Sequence, residues 1–585
     1  MSDADLTDPE LRDRAVAAAM GRAPFDLLIR GGRIACPVTH TLRQADVGIV
    51  GALIASVHAP DQGREAAVVI EADGLTIAPG FIDTHMHVES SMVTPAAYAA
   101  AMLPRGVTTA VWDPHEFANV AGRAGMDYAL GEADASPLRF LPLVPSCVPA
   151  APGYEVSGAD FGPDVIADLL AEPGTFGLAE VMDMAAVTGR ADRMRGIVQA
   201  ALASGKMICG HARSLEGGAL QAYAASGIAS DHELTSPEDL RARLEAGMTI
   251  ELRGSHDHLL PGFAEVLEAL PQLPPTVTLC TDDVFPDDLA AAGGLDDVLR
   301  RLMRYGLSPM RALQAATLNG ALRIGRPDLG LVGPGKRADL VLMEDLASVS
   351  VVRVIRDGAP VRPAAPEPRR VPPALLGTMR CDAPSPEEIL PRAEGARVRV
   401  ATIERPRFTQ WGETVAEVRD GRVQPPKDAT LISVLHRHGR GASTPRTGFL
   451  TGWGRWRGAF GTTVSHDSHN LTLFGARPED LAVAAEALIA CGGGMVAVKD
   501  GRVSALLPLP VAGLVSDAPL AEIAAGFTAL KAAMDEIVEW NPPYLVFKAL
   551  VGATLACNAG PHQTDLGIAD PLAGRLLPSP VLGPA

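Results

Sequence analysis

The chain has 585 residues, 47% hydrophobic and 21% charged, the proportions of a globular protein of two to four domains. A formal net charge of -18 argues against non-specific binding to nucleic acid or to an anionic membrane surface, and leaves a small neutral substrate open. Seven scattered cysteines without a Cys-x-x-Cys pair, an acidic N-terminus with no signal-like apolar region, and no run of about 18 apolar residues predict a cytoplasmic protein with reduced thiols and no membrane span.

Residues 7–20 read as a helix, with Thr7 or Asp8 as cap, Pro9 in the first turn and Gly21 beyond its end. It forms an N-terminal extension over residues 1–24. Short β-branched runs follow at Asp26–Arg30, Ala45–Val50 and Ala67–Ile70, and similar runs return at Ala338–Met343 and Val351–Ile355. Segments 25–79 and 326–372 therefore predict one small β-sandwich domain built from both flanks of a central region. Between them, residues 80–325 alternate strand and helix patterns. Candidate strands are 81–86, 108–113, 139–145, 176–182, 207–211, 228–232, 248–252 and 276–281, with helices such as Ala96–Leu103 and Glu238–Ala246 between them. Eight such units predict an α/β fold with a (β/α)8 TIM-like barrel, whose catalytic groups belong at the C-terminal strand ends. Pro360–Pro373 reads as a linker. Residues 373–585 form a C-terminal α+β domain, with strands at Arg397–Ile403 and Gly494–Val498 and helices near 478–490 and 519–537.

His85-Met86-His87 lies on the first candidate barrel strand, where alternation points both imidazoles to one face. A lone His-x-His is weak evidence. Its partners strengthen it: Glu180, His211, His232 and Asp282 each follow an apolar run at a later strand end. Mixed imidazole and carboxylate donors suit Zn, Fe or Mn. Six ligands exceed the need of one tetrahedral ion and predict two divalent metals bridged by a carboxylate, which would make hydroxide from water near neutral pH.

The run Pro79–Met92 (PGFIDTHMHVESSM) resembles the opening barrel strand of the amidohydrolase superfamily, and its Glu89-Ser90-Ser91 resembles the bacterial adenine deaminase family in particular. Further matching stretches are Leu103–Glu116 with Asn119, Gly177–Met182, Thr281–Asp283, Ala316–Asn319, Ser465–Asn470 and Ala512–Asp517, spanning nearly the whole chain. The resemblance implies a two-metal hydrolysis of adenine to hypoxanthine and ammonia, with Mn or Fe ahead of Zn, and a homo-oligomer, most simply a dimer. Where the superfamily often bridges its metals with a strand-4 lysine, this chain has Glu180. Glu180 then takes the bridge, His85, His87 and Asp282 one metal, and His211 and His232 the other. Asp282 is the leading proton shuttle, with Glu89 and Glu116 as candidates to protonate or orient the purine. Ser90, Ser91, Asp113, His115, Asp283, His466 and His469 are the candidate substrate contacts. Phe285 departs from relatives that carry histidine there, and Gly560–Asp565 is only loosely similar.

Other readings compete. The same metals could serve an amidohydrolase acting on a substituted purine or cyclic amide, or the chain could be a catalytically silent binding protein. The other zinc-deaminase design is excluded because Pro-Cys-x-x-Cys is absent. Ser465-His466-Asp467 cannot be a triad by itself, and local turn or interdomain bonding is favoured over contact with the site. His256 and His258 read as solvated loop residues. Gly492-Gly493-Gly494 reads as a turn before a strand, and Trp453, Trp456 and Phe460 as packing or lid residues.

Overall fold

The computed structural model describes residues 3–60, 62–362, 369–540 and 546–585. The first helix runs Pro9–Ala19; the Asp8 carboxylate accepts the Glu10 N–H at 3.0 Å, and Pro9 fills the first turn, where its missing N–H costs nothing. Its apolar side, Ala15 and Ala18, packs with Leu6 against Phe25, Leu28 and Leu53.

Both flanks of the central region then enter one hydrogen-bonded sheet of eight strands. Phe25–Cys36, Thr41–Val50, Leu53–His58, Ala66–Glu71 and Thr76–Pro79 come from the first flank, and Leu340–Met343, Val351–Arg356 and Ala359–Pro360 from the second. The closing pair is antiparallel, with Leu342 opposite Ile77. The expected sandwich thus takes the form of a single sheet with a bend. A register shift between Ile29 and Gly32 lets the first half of Phe25–Cys36 pair with Ala66–Glu71 and the second half with Thr76–Pro79. Of the predicted linker Pro360–Pro373, residues 363–368 lie outside the described residues.

Eight parallel strands occupy the centre: Phe81–Met86, Val107–Trp112, Arg139–Val144, Gly177–Val181, Met207–Gly210, Ser230–Asp231, Thr249–Arg253 and Val277–Cys280. A helix follows each one, from Pro95–Met102 after the first to Leu295–Arg304 after the eighth. These strands are apolar runs rather than alternating ones, as expected where helices cover one face and side chains fill the other. The first five form one sheet and the last three another. The first and eighth strands meet through a parallel bridge between Met86 and Asp282. The Asp83 carboxylate reinforces that seam, accepting the Thr281 N–H at 3.0 Å and its hydroxyl at 2.6 Å. At the seam between the fifth and sixth strands the Ser230 hydroxyl accepts the Gly210 N–H at 3.2 Å. A Cβ on Gly210 would lie 2.1 Å from the Ser230 carbonyl oxygen, so this approach requires glycine.

The third region is built on a ten-stranded sheet covered by the helices Pro478–Cys491 and Leu520–Ile537. Gly492 ends the first of these helices at φ 86° and the next strand starts at Gly494, so the glycine triplet is the expected turn. Trp453 and Phe460 are fully buried and pack against Trp540 and Phe474, core contacts that match the packing reading. This region sits on the C-terminal ends of the parallel strands: Asn470 donates to the Val156 carbonyl at 2.9 Å and Thr564 to that of Tyr154 at 2.6 Å. Among the described residues no helix is long and apolar enough to cross a membrane.

Candidate active site

The last residues of the parallel strands and the loops after them bring ionisable side chains together at one end of the central unit. His85 belongs to the first strand and His87 follows it; Glu180 lies in the fourth, His211 and His232 just after the fifth and sixth, and Asp282 after the eighth. All six are buried. Asp282 has φ 55°, a left-handed turn that aspartate tolerates better than most residues, and its N–H donates to the His85 carbonyl at 3.0 Å.

Glu180 is the hub. Its Oε1 lies 3.6 Å from His87 Nε2, while its Oε2 lies 2.5 Å from His211 Nδ1 and 3.2 Å from His232 Nε2. Asp282 Oδ1 stands 3.3 Å from His87 Nε2 and 3.7 Å from His85 Nε2. The predicted set His85, His87 and Asp282 therefore does converge, and His85, Glu180 and His232 form a second group with ligand atoms within 4.8 Å of one another. His85 is shared between them, its ring stacked on His232 at 4.2 Å.

The donors fit a divalent metal on the bonds they leave unmade. Both ring nitrogens of His85, which faces Asp282 and stacks on His232 inside the cluster, are buried without a hydrogen-bond partner. Such atoms cost about 1–3 kcal/mol each when nothing meets them. Burial, His232 and His87 hold His85 well below the ordinary histidine range, so its ring is neutral, as ligation requires. Burial alone would raise Glu180 and Asp282, but His211 acting on the one and Arg253 on the other outweigh it and hold both carboxyls well below their usual range. The two carboxylates are thus held ionised by the cationic groups around them. His87 Nδ1 donates to the Asp113 carbonyl at 3.1 Å, which fixes the tautomer and aims Nε2 at the cluster.

A cavity of about 140 Å³ opens over this centre. Of the predicted substrate contacts, Ser90, His115, Asp283 and His466 line it. Ser90 donates to Asp283 at 2.5 Å. Ser91 instead donates to the Val88 carbonyl at 2.5 Å, and Asp113 positions His87 and His115 from behind. His469 is buried behind the cavity, where its Nδ1 accepts the Ser465 N–H at 3.2 Å. Glu89 also faces away from the cavity: it accepts the Trp112 indole N–H at 3.0 Å and the Phe117 N–H at 3.4 Å. Burial and then the neighbouring Glu116 push Glu89 up to about 8. Glu116 is buried, both its oxygens lack a hydrogen bond, and burial raises it above the usual carboxyl range.

Two readings of the sequence are corrected. The Ser465–Asn470 loop does reach the cavity, because the third region is seated on the strand ends, and Asp467 Oδ1 lies 3.6 Å from His115 Nε2. His256 is a buried cavity residue, only 8% exposed, with Nε2 3.4 Å from Arg407 Nη2; His258 alone remains in solvent. Four cations that the sequence reading does not single out also line the cavity: Arg213, Arg253, Arg407 and Lys548. Arg253 ends the seventh strand and pairs with Glu233 and Asp282, so a scan of every strand end would have found it. Lys548, whose ammonium donates to the Ser255 carbonyl at 2.6 Å, lies far along the chain with no motif around it.

The adenine deaminase C-terminal domain model matches residues 406–573, and the amidohydrolase family model matches residues 76–361. Adenine deaminase 2 of Agrobacterium fabrum is 59% identical over 583 residues, covering 99% of this chain and 98% of that protein. Adenine deaminase 2 of Rhizobium meliloti is 60% identical with the same coverage. Adenine deaminase of Klebsiella pneumoniae is 46% identical over 577 residues, covering 96% of this chain and 95% of that protein.

Proposed function

Because this chain belongs to the adenine deaminase family of amidohydrolases, we infer that the buried centre around Glu180 catalyses the metal-dependent hydrolysis of adenine to hypoxanthine and ammonia. The observation that carries the reading is the placement of Glu180, whose two oxygens face different histidines across the cluster. On this reading the eight parallel strands act as a (β/α)8 barrel with its active end under the third region. The centre would hold two divalent ions, Mn or Fe ahead of Zn, through His85, His87 and Asp282, through His211 and His232, and through Glu180. When bound, such ions supply Lewis acidity and lower the pKa of water.

The protein's own groups supply the rest. Asp282 reaches into the cavity: Arg253 and Ser255 hold its second oxygen and its first faces His87 and His85, which puts the carboxylate beside the ligand set to accept the proton of the attacking water and pass it to the departing amine. Ser90 and Asp283, bonded to each other, face the ring from one edge, and Phe285 offers an apolar wall for its face. Deamination replaces the C6 amino group by oxygen, with water adding and ammonia leaving. Seven free cysteines accord with a cytoplasmic enzyme, and sedimentation would test the expected dimer.

The decisive assay is ammonia release from adenine by purified protein loaded with Mn, Fe or Zn. Release is expected; inert metal-replete protein that instead opens a hydantoin or dihydropyrimidine ring would reverse the substrate assignment. Asp282→Asn is expected to fold normally and to lose most turnover, and full activity in that variant would remove Asp282 from the proton transfers.

A further inference from the structure

The loop after the seventh parallel strand, residues 254–256, is fastened from two sides. On the strand side, Arg253 Nε donates to the Ser255 hydroxyl at 2.6 Å, and that hydroxyl donates to Asp282 Oδ2 at 3.2 Å. From the third region, the Lys548 ammonium donates to the Ser255 carbonyl at 2.6 Å, and Arg407 Nη2 donates to His256 Nε2 at 3.4 Å. Ser255 thus meets Asp282 through its hydroxyl and Lys548 through its carbonyl. Lys548 belongs to the helix Val546–Val551. The neighbouring Phe547 seats that helix against Phe285 and Phe527, with ring centroids 6.5 and 4.9 Å apart.

The bond from Ser255 to Asp282 is at the long end of the hydrogen-bond range, where a small shift of the loop would break it. The Lys548 bond to the same residue is short, so it sets where that loop lies. The ammonium is also held at a cost to folding. Burial and then Arg253 push Lys548 down to about 8 from the ordinary 10.5, and a base whose folded value is depressed makes its charged form unfavourable for the fold. Stability alone does not account for a charge in this place, whereas a task at the site does.

We propose that Lys548 is a positioning residue for Asp282: by fixing the Ser255 carbonyl it sets the Ser255 hydroxyl against Asp282, so that this carboxylate is aligned only when the third region is seated on the strand ends. The inference rests on the proton-transfer role given above to Asp282. Lys548 also lines the cavity, and direct contact with the substrate is the rival reading, with a different kinetic signature.

The test is steady-state turnover by metal-loaded full-length protein, on adenine or whichever ring the wild type turns over, with metal content and thermal melting measured on the same samples. Lys548→Met should lower kcat by roughly 10- to 100-fold, the scale of a misplaced reacting group, and leave KM within about threefold. Metal content should be unchanged and the melting temperature equal or higher. Ser255→Ala should lose kcat in the same way, and the Lys548→Met/Ser255→Ala double variant should be no worse than the poorer single variant, since both act through one contact. Unchanged kcat in Lys548→Met, or losses that multiply in the double variant, would overturn the proposal. A raised KM with kcat kept would overturn it in favour of substrate contact. Asp282→Asn is measured alongside: full activity there removes the premise and this proposal with it, whereas low activity there beside an unimpaired Lys548→Met refutes this proposal alone. Should Lys548→Met fail to fold, Lys548→Gln is judged on the same criteria.

Discussion

Both ends of the parallel strands bury charge, but they treat it in opposite ways. At the N-terminal end Arg139 opens the third strand and is nearly inaccessible, yet it donates to Asp3 and to Asp339, each at 2.7 Å. Arg326, Arg337 and Arg356 join the same network through Asp3, Asp328 and Asp357. At the C-terminal end both ring nitrogens of His85 are buried without a partner. In the first arrangement every guanidinium faces at least one carboxylate of the chain, with Arg139 Nη2 and Arg356 Nε alone left without a hydrogen bond, and the network acts on stability. The second is complete only with something the chain does not encode, which is how a binding centre differs from a structural ion network.

The sharpest way to break this contrast is at its hub. Glu180→Gln keeps the shape but removes the shared negative charge, and should lower turnover by roughly a thousandfold or more while the two-metal content falls. Retained metal with retained turnover would move the bridge elsewhere. Chelation probes the same end without mutation. An ion held at 100 to 1,000 times its dissociation constant adds roughly 2.7–4.1 kcal/mol, so stripping metal should drop the melting temperature, and adding Mn or Fe back should restore it along with activity.

The opposite end should respond in stability alone. Burial by itself would raise Asp3, but Arg139, Arg337 and Arg356 together hold it at about 2, below its ordinary 3.8. Asp3→Asn should cost about 1–3 kcal/mol, between exposed and buried pairs, with turnover per folded molecule unchanged. A depressed carboxyl stabilises above its unfolded value, so the gap between wild type and variant should be full at neutral pH. It should close as pH falls from 3.8 toward about 2 in thermal melts across that range. The smallest effect is expected at Glu89. Since it is held at about 8, it is largely protonated at pH 7, and the neutral amide of Glu89→Gln should keep kcat/KM within about threefold. A hundredfold loss in a normally folded Glu89→Gln protein would restore Glu89 to the chemistry.

The strands were readable because each is a short apolar run between helices. Val107–Trp112 and Thr249–Arg253 fall within a residue of their expected places. The sixth, expected over 228–232, shrinks to Ser230–Asp231, because the Asp231 carboxylate accepts the N–H groups of Ala212 and Glu233 at 2.9 and 3.0 Å in place of ladder bonds. The clustered His, Glu and Asp side chains are legible for the same reason as the strands: His85, Glu180, His211, His232 and Asp282 each close an apolar run. His256 was not, because a histidine among Gly, Ser and Asp looks solvated until a distant segment covers it. Asp467 and Lys548 share that limit, for their partners lie hundreds of positions away and no local period records them.

The cavity lined by both His87 and His562 also has a bearing on synthesis. On the ribosome the first histidines emerge early, but the pocket has no roof until almost the whole chain has followed. A nascent chain paused midway would expose its metal-seeking imidazoles to the cell's free ions with no enclosure to select among them. Faithful loading is therefore a matter of timing as well as of ligand chemistry.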